Sequence, residues 1–198
     1  MSTPTSAQAP TRRRALVLGG IRSGKSEFAE RLAHAAAADE PVHYLATARR
    51  DAADPRWEAR IEAHRLRRPA HWRTTDLGTD PVRLPELIRA AAPTQTLLVD
   101  DVATWIAGLL MPAGFDTLGT TPLPDLTRYV DQLGAAVRVT PARLVLVSAE
   151  VGLSLVPLSE AGRAYVDVLG ATNQALAAAC DTVALVIAGN AVPVKGGL

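Results

Sequence analysis

The octapeptide GGIRSGKS, Gly19–Ser26, is the stretch that most restricts what this chain can fold into. It breaks the apolar run ALVL and hands over to an amphipathic segment, so it reads as the turn between a strand and a helix. The spacing satisfies G-x-x-x-x-G-K-[ST], with Gly19 first and Gly24 second. Glycines let the loop wrap tightly, so that successive N–H groups along Gly19, Gly20, Ile21, Arg22, Ser23 and Gly24 aim at phosphate oxygens. A helix starting near Lys25 adds its unpaired N–H groups and the positive end of its dipole. Lys25 is suited to neutralising outer phosphates and the Ser26 hydroxyl to ligating Mg²⁺, so the expected occupant is a Mg²⁺-bound nucleotide phosphate. Arg22 has three destinations open to it: phosphate, a neighbouring subunit or solvent.

Around this loop, short apolar runs alternate with longer helical patterns. Strands are expected at Ala15–Leu18, Val42–Ala46, Thr96–Val99, Leu144–Val147 and Val183–Ile187. Each is nearly continuous in apolar residues, as a strand covered on both faces requires. Helices are expected at Lys25–Ala38, Pro55–Arg65, Arg83–Ala91, Val102–Leu110, Leu126–Thr140 and Ser159–Ala179, the last with Ser159 as cap. The implied fold is α/β and phosphate-loop NTPase-like, a mostly parallel sheet with helices on both faces. Ligands in such folds bind beyond the carboxyl ends of the strands.

A phosphate loop needs an acid at a neighbouring strand end to hold the metal or its water shell. TLLVDD supplies Asp100, first after the apolar run and so the choice for that acid, while Asp101 could instead cap the following helix, the two roles being open to exchange. Glu150, after RLVLVS, is either a second carboxylate at the same edge or a surface turn residue. Thr47, closing VHYLAT, is either a polar contact near the nucleotide or an ordinary strand end.

Composition excludes several classes. The 198 residues suit one domain, residues 14–198, preceded by a disordered polar tail, residues 1–13, that lacks the apolar segment of a signal peptide. MPAGFDTLGTTPLP, residues 111–124, reads as a mobile loop. A formal charge of +1 gives no broad basic surface for nucleic acid, and no apolar stretch reaches membrane-spanning length. The single cysteine, Cys180, excludes an intrachain disulfide and fits a reducing, cytoplasmic location; a small buried hydrophobe is its simplest role.

One segment is more basic than a surface helix needs. RWEARIEAHRLRRPAHWRTTD holds six arginines beside His64 and His71. Arg60 and His64 are four apart and share a helix face; Trp57 and Ile61 form another such pair, and Pro69 ends any helix. The arginines could hold phosphates, contact RNA or serve as a solvated face, and His64 alone could be a plain surface histidine. A neutral imidazole can also attack phosphorus, and the P–N bond it forms is labile enough to pass the group on. Arg60, Arg65 and Arg68 would then neutralise charge in the transition state, or form structural ion pairs instead.

Together, GGIRSGKSEFAE, YLATA, RWEARIEAHRLRRPAHWRTTD, LLVDDVATWIAGLL and LVLVSAEVGLSLVPLSEAGRAYVDVLGATNQALAAACDTVALVIAGNAVPVK resemble the bifunctional adenosylcobinamide kinase/adenosylcobinamide-phosphate guanylyltransferase family of cobalamin biosynthesis. The resemblance runs from Ala15 to about Gly196. It implies an enzyme that phosphorylates adenosylcobinamide with a nucleoside triphosphate, GTP or ATP. It further implies that GMP passes from GTP, through a guanylylated histidine, to adenosylcobinamide phosphate, with pyrophosphate released. On the family pattern that histidine falls on His64 rather than His71, the phosphate loop on Gly19–Ser26 and the metal-side acid on Asp100. A homotrimer with active sites near subunit contacts is implied as well.

Four places depart from the family pattern: Asp101 for a common Cys, Ala149 for an amide residue, Asp54–Trp57 for a more acidic, methionine-containing version, and Asn190 for a less polar residue. Two other functions therefore stay open at this point. One is a simple phosphate-loop kinase without guanylyltransfer; the other is a nucleotide-regulated switch with no transfer activity.

Overall fold

Strands buried on both faces need apolar side chains on both sides, and the five apolar runs place them so. In the computed structural model, which describes residues 14–37, 40–110 and 125–197, all five form: β1 Arg14–Gly19, β2 Val42–Ala46, β4 Thr96–Asp100, β5 Arg143–Ala149 and β6 Thr182–Ile187. Two edge strands join them, β3 Arg73–Asp76 and β7 Asn190–Lys195, giving the order β3-β2-β4-β5-β1-β6-β7. Only β7 runs antiparallel. Neither edge strand carries an apolar run: RTTD is polar, and NAVPVK is interrupted by Pro193, tolerable at an edge. The apolar-run criterion therefore passes over both.

The helices are α1 Lys25–Ala37, α2 Pro55–Arg67, α3 Leu84–Ala90, α4 Val102–Leu110, α5 Thr127–Val139 and α6 Glu160–Ala179, with a 3-10 turn at Pro81–Arg83. α2 runs one residue pair further than expected and stops before Pro69. The expected start of the third helix at Arg83 falls in the 3-10 turn, and Leu126 and Thr140 are caps rather than helical residues. The Ser159 side chain accepts from Gly162 N at 3.1 Å, the cap expected of it. The expected tail (residues 1–13), Ala38 and the expected loop (residues 111–124) lie outside the described residues.

Alternation along each strand divides the core. Leu16, Leu45, Leu144 and Leu146 pack with α3–α6 residues such as Ile88, Trp105, Leu133 and Leu176. Val17, Tyr44, Leu98, Val145 and Val147 face the other way, against α1. There α1 presents Ala29, Ala33 and Ala37, each buried and four residues apart. That small-residue face lets α1 lie close to the sheet and carries its N-terminus toward the end of β4 although β5 separates β4 from β1.

Cys180 caps α6, 2% exposed, and burial pushes its thiol up to about 12. At pH 8 the thiolate is then about one part in ten thousand. We expect Ellman's reagent to leave the folded protein untouched and to titrate one thiol once denaturant is added.

Candidate functional site

The glycine-rich loop Gly19–Ser26 is built by close approach. A Cβ on Gly19 would lie 2.8 Å from the Val186 carbonyl oxygen, and Gly24 sits at φ +90 with its would-be Cβ 3.2 Å from Gly189 Cα. Neither position accepts a larger residue without displacement. Lys25 is buried, and its ammonium donates back across the loop to Gly20 O at 3.4 Å. Arg22, Ser23, Gly24, Lys25, Ser26 and Arg60 line a recess of about 200 Å³ over the loop, and Ile21 points outward, 80% exposed.

Beside this recess, a cleft of about 590 Å³ opens at the carboxyl ends of β2, β3 and β4 under α2. Ser26, Tyr44, His64, Asp100 and the arginines Arg60, Arg65 and Arg68 all line it. The helix over its mouth starts cleanly because Asp54 accepts from Arg56 N and Trp57 N, with Pro55 in the first turn. No residue of α2 is fully buried. Polar ties hold it instead: Trp57 Nε1 donates to Arg49 O at 2.8 Å, and Arg67 pairs with Glu30 of α1 at 2.9 Å.

At the end of β4, Asp100 joins the two halves. Its Oδ1 accepts from Ser26 Oγ at 3.1 Å, and its Oδ2 accepts from the Tyr44 hydroxyl and lies 3.5 Å from His64 Nδ1. Burial by itself would raise the Asp100 carboxyl. The hydrogen bonds from His64 and Tyr44, the charge of His64 and the Ser26 hydroxyl outweigh it and hold the group below the ordinary aspartate value. Asp101 behaves oppositely. Burial, and then the charge of Asp100, raise it, against the bonds from Thr104 and the charge of Lys25. Its carboxylate accepts from Thr104 N at 2.7 Å, the helix cap that the sequence suggested.

The arginines separate by partner. Arg65 is bound through two bonds to Glu62, and Arg50 lies 3.7 Å from Glu58. Arg60 lies over the Trp57 ring, 5.7 Å from its centroid, and lines both recess and cleft. The Arg68 guanidinium sits 3.5 Å from the centroid of the Tyr44 ring, and its buried Nε has no hydrogen-bond partner among the described residues. Arg60 and His64 do share a face, the one turned to the cleft.

Other expected residues lie elsewhere. Thr47 is buried with its hydroxyl engaged by Asp101 O and Thr104, and Glu150 folds its carboxylate onto Gly152 N and Leu153 N. Neither lines the cleft, and His71 is exposed outside it. Tyr44 and Glu30 were not singled out by sequence reasoning. A tyrosine inside an otherwise apolar strand, needing a partner for its hydroxyl, was the available signal for the first.

The donor set suits a hard divalent ion. Cis oxygen ligands of Mg²⁺ stand about 2.9 Å apart, close to the 3.1 Å between Ser26 Oγ and Asp100 Oδ1, and both are oxygens beside the recess over the loop. Glu30, His64 and Asp100 also bring one ligand atom each within 4.8 Å of one another.

Comparison with known proteins adds the family. The family model for CobU, cobinamide kinase / cobinamide phosphate guanyltransferase, matches residues 15–194. This chain belongs to that family. It is 41% identical over 187 residues to the bifunctional adenosylcobalamin biosynthesis protein CobP of Pseudomonas aeruginosa, covering 92% of this chain and 98% of that one. CobU of Escherichia coli is 39% identical over 191 residues, with 91% and 98% covered. CobU of Salmonella typhimurium is 38% identical over 187 residues, with the same coverage. The resemblance inferred from the motifs thus holds along almost the whole chain, and the protein is an enzyme.

Because the charge of Asp100 helps to raise Asp101, Asp100→Asn should lower the Asp101 value while burial keeps it above that of an ordinary aspartate. A carboxyl ¹³C NMR titration measures both directions.

Proposed function

We propose that the chain phosphorylates the aminopropanol hydroxyl of adenosylcobinamide from a nucleoside triphosphate, then carries GMP from GTP to the resulting phosphate on His64. The product is adenosylcobinamide-GDP. The observation that carries this reading is the short path between nucleotide loop and imidazole: Ser26 to Asp100 at 3.1 Å, and Asp100 to His64 at 3.5 Å, within one chain.

The residues divide the work. The loop N–H groups and Lys25 hold the outer phosphates, with Arg22 and Arg60 at the rim of the same recess. Ser26 and Asp100 would hold Mg²⁺, which supplies charge neutralisation on the phosphate oxygens. Asp100 Oδ2 lies 3.5 Å from His64 Nδ1 and would accept an Nδ1–H as the two draw together, which would leave the Nε2 lone pair as the nucleophile. As Nε2 bonds to the α-phosphorus, the bond to the bridging oxygen breaks and pyrophosphate leaves. In the second transfer an oxygen of adenosylcobinamide phosphate attacks the same phosphorus, the P–N bond breaks, and the ring recovers its lone pair. Arg60 and Arg68 stand on the cleft wall where negative charge develops, whereas Arg65 is already committed to Glu62. Thr47 supports the Asp101 cap rather than touching nucleotide, and Glu150 stabilises its own turn.

The acting assembly is read as a homotrimer, on the family resemblance. The exposed apolar side chains of Leu153, Leu155, Val156 and Leu158 are surface that such contacts would cover. No helix among the described residues is long and apolar enough to cross a membrane. A cytoplasmic site of action agrees with the single, reduced cysteine.

Incubation with GTP should yield a protein carrying one GMP, stable to base and released by acid or hydroxylamine, together with pyrophosphate. His64→Ala should abolish the adduct in intact-mass spectra while changing GTP affinity by no more than about threefold, because Lys25 and the loop remain. An undiminished adduct in His64→Ala would defeat the assignment of the carrier. Release of phosphate and GDP alone would favour a nucleotide switch. Adding adenosylcobinamide to the wild type reads both transfers in one product analysis.

A further inference from the structure

Asp100 is asked to do two things at once, and its two oxygens divide them: Oδ1 faces Ser26 and the phosphate loop, Oδ2 faces His64. A carboxylate free to turn about its Cβ–Cγ bond would exchange these oxygens and let the imidazole drift with it. A third donor prevents this. The Tyr44 hydroxyl donates to Oδ2, the oxygen that also lies against His64 Nδ1. We infer that Tyr44 is a positioning residue for guanylyl transfer, acting through Asp100 to hold the His64 ring with Nδ1 protonated and Nε2 aimed at the nucleotide. This rests on His64 being the GMP carrier.

The surroundings of Tyr44 serve that purpose. The side chain is fully buried on the α1 side of the sheet, packed near Trp72 with ring centroids 6.4 Å apart, so the ring cannot swing. β2 pairs with β4 in a register that sets Tyr44 opposite Leu98 and Ala46 opposite Asp100. The tyrosine is thus one inward-facing step behind the strand end, and its length brings the hydroxyl up to the carboxylate. The Arg68 guanidinium covers the ring face at 3.5 Å from the centroid, drawing electron density from the phenol and making its O–H a better donor. Arg68 also lines the cleft, so a phosphate there and the tyrosine beneath are joined through one guanidinium.

The arrangement separates hydroxyl from ring. Tyr44→Phe keeps the platform for Arg68 and the packing on Trp72 and removes only the bond to Asp100. Single-turnover formation of the His64 adduct from GTP should slow by about ten- to a hundredfold, the usual effect of losing a partner that orients a reacting group. The GTP concentration giving half-maximal rate should change by less than about threefold, since the loop and Lys25 are untouched. A merely structural tyrosine would not alter imidazole tautomers, so the second readout is ¹⁵N NMR of the four histidines, with His64 identified by its loss in His64→Ala. The wild type should show the Nδ1–H form of His64, and Tyr44→Phe a mixture of both tautomers. Tyr44→Met, which puts a flexible apolar side chain in the same buried place without a hydroxyl, should slow the reaction at least as much.

Wild-type adduct rates in Tyr44→Phe, an Nε2–H tautomer in the wild type, or unfolding of both variants would each overturn the inference. Absence of any adduct in the wild type would instead defeat the carrier reading on which it rests, so the two failures are distinguishable.

Discussion

The site depends on one carboxylate placed where four elements converge. Asp100 ends β4, Ser26 opens α1, Tyr44 rises from β2, and His64 hangs from α2; each comes from a different part of the chain and each meets the same two oxygens. An ionised carboxylate buried at a strand end is costly unless its lone pairs are filled. Here Ser26 and Tyr44 donate to them with the His64 ring 3.5 Å away, and the carboxyl is held below its ordinary value. Satisfying the charge and assembling the site are therefore a single event. A sequence that placed apolar residues around Asp100 would lose its ionised form and the link between nucleotide loop and imidazole together.

The helix carrying His64 is attached differently from the rest of the fold. α1 is seated by alanines against the sheet, and α4–α6 by large apolar side chains, whereas α2 has no fully buried residue and rests on Trp57, Arg67 and the arginine–glutamate pairs. This would suit the proposed role of α2, because polar contacts at a cleft mouth exchange with solvent at little cost. It also accounts for the number of arginines. Arg67 ties the helix to Glu30 of α1, Arg65 pairs with Glu62 within α2 itself, and Arg60 and Arg68 are left with aromatic faces and an open cleft.

Much of this was legible beforehand because the signals are local. The strand–loop–helix around GGIRSGKS, the Asp100 strand end, the Ser159 cap and the Arg60–His64 face all follow from spacing and side-chain chemistry within one segment. The edge strands β3 and β7 escaped because an edge needs only backbone bonds on one side, and RTTD and NAVPVK carry no apolar run. Thr47 and Glu150 looked like ligands because both sit just past a strand's carboxyl end. Whether a side chain there turns to the cleft or back onto its own turn is settled by neighbours such as Thr104 and Gly152.

The amino-acid order alone determined the mostly parallel sheet, the glycine-rich strand–loop–helix and the family resemblance, since apolar periodicity and a glycine-lysine-serine spacing act over a few residues. Tertiary structure decided which oxygen of Asp100 meets which donor, which arginines pair with glutamates, and that the Tyr44 hydroxyl reaches Asp100. Those outcomes depend on how closely α1 lies on its alanines, on the register of β2 against β4, and on where α2 rests. No single segment encodes such distances; they arise when separate segments pack together.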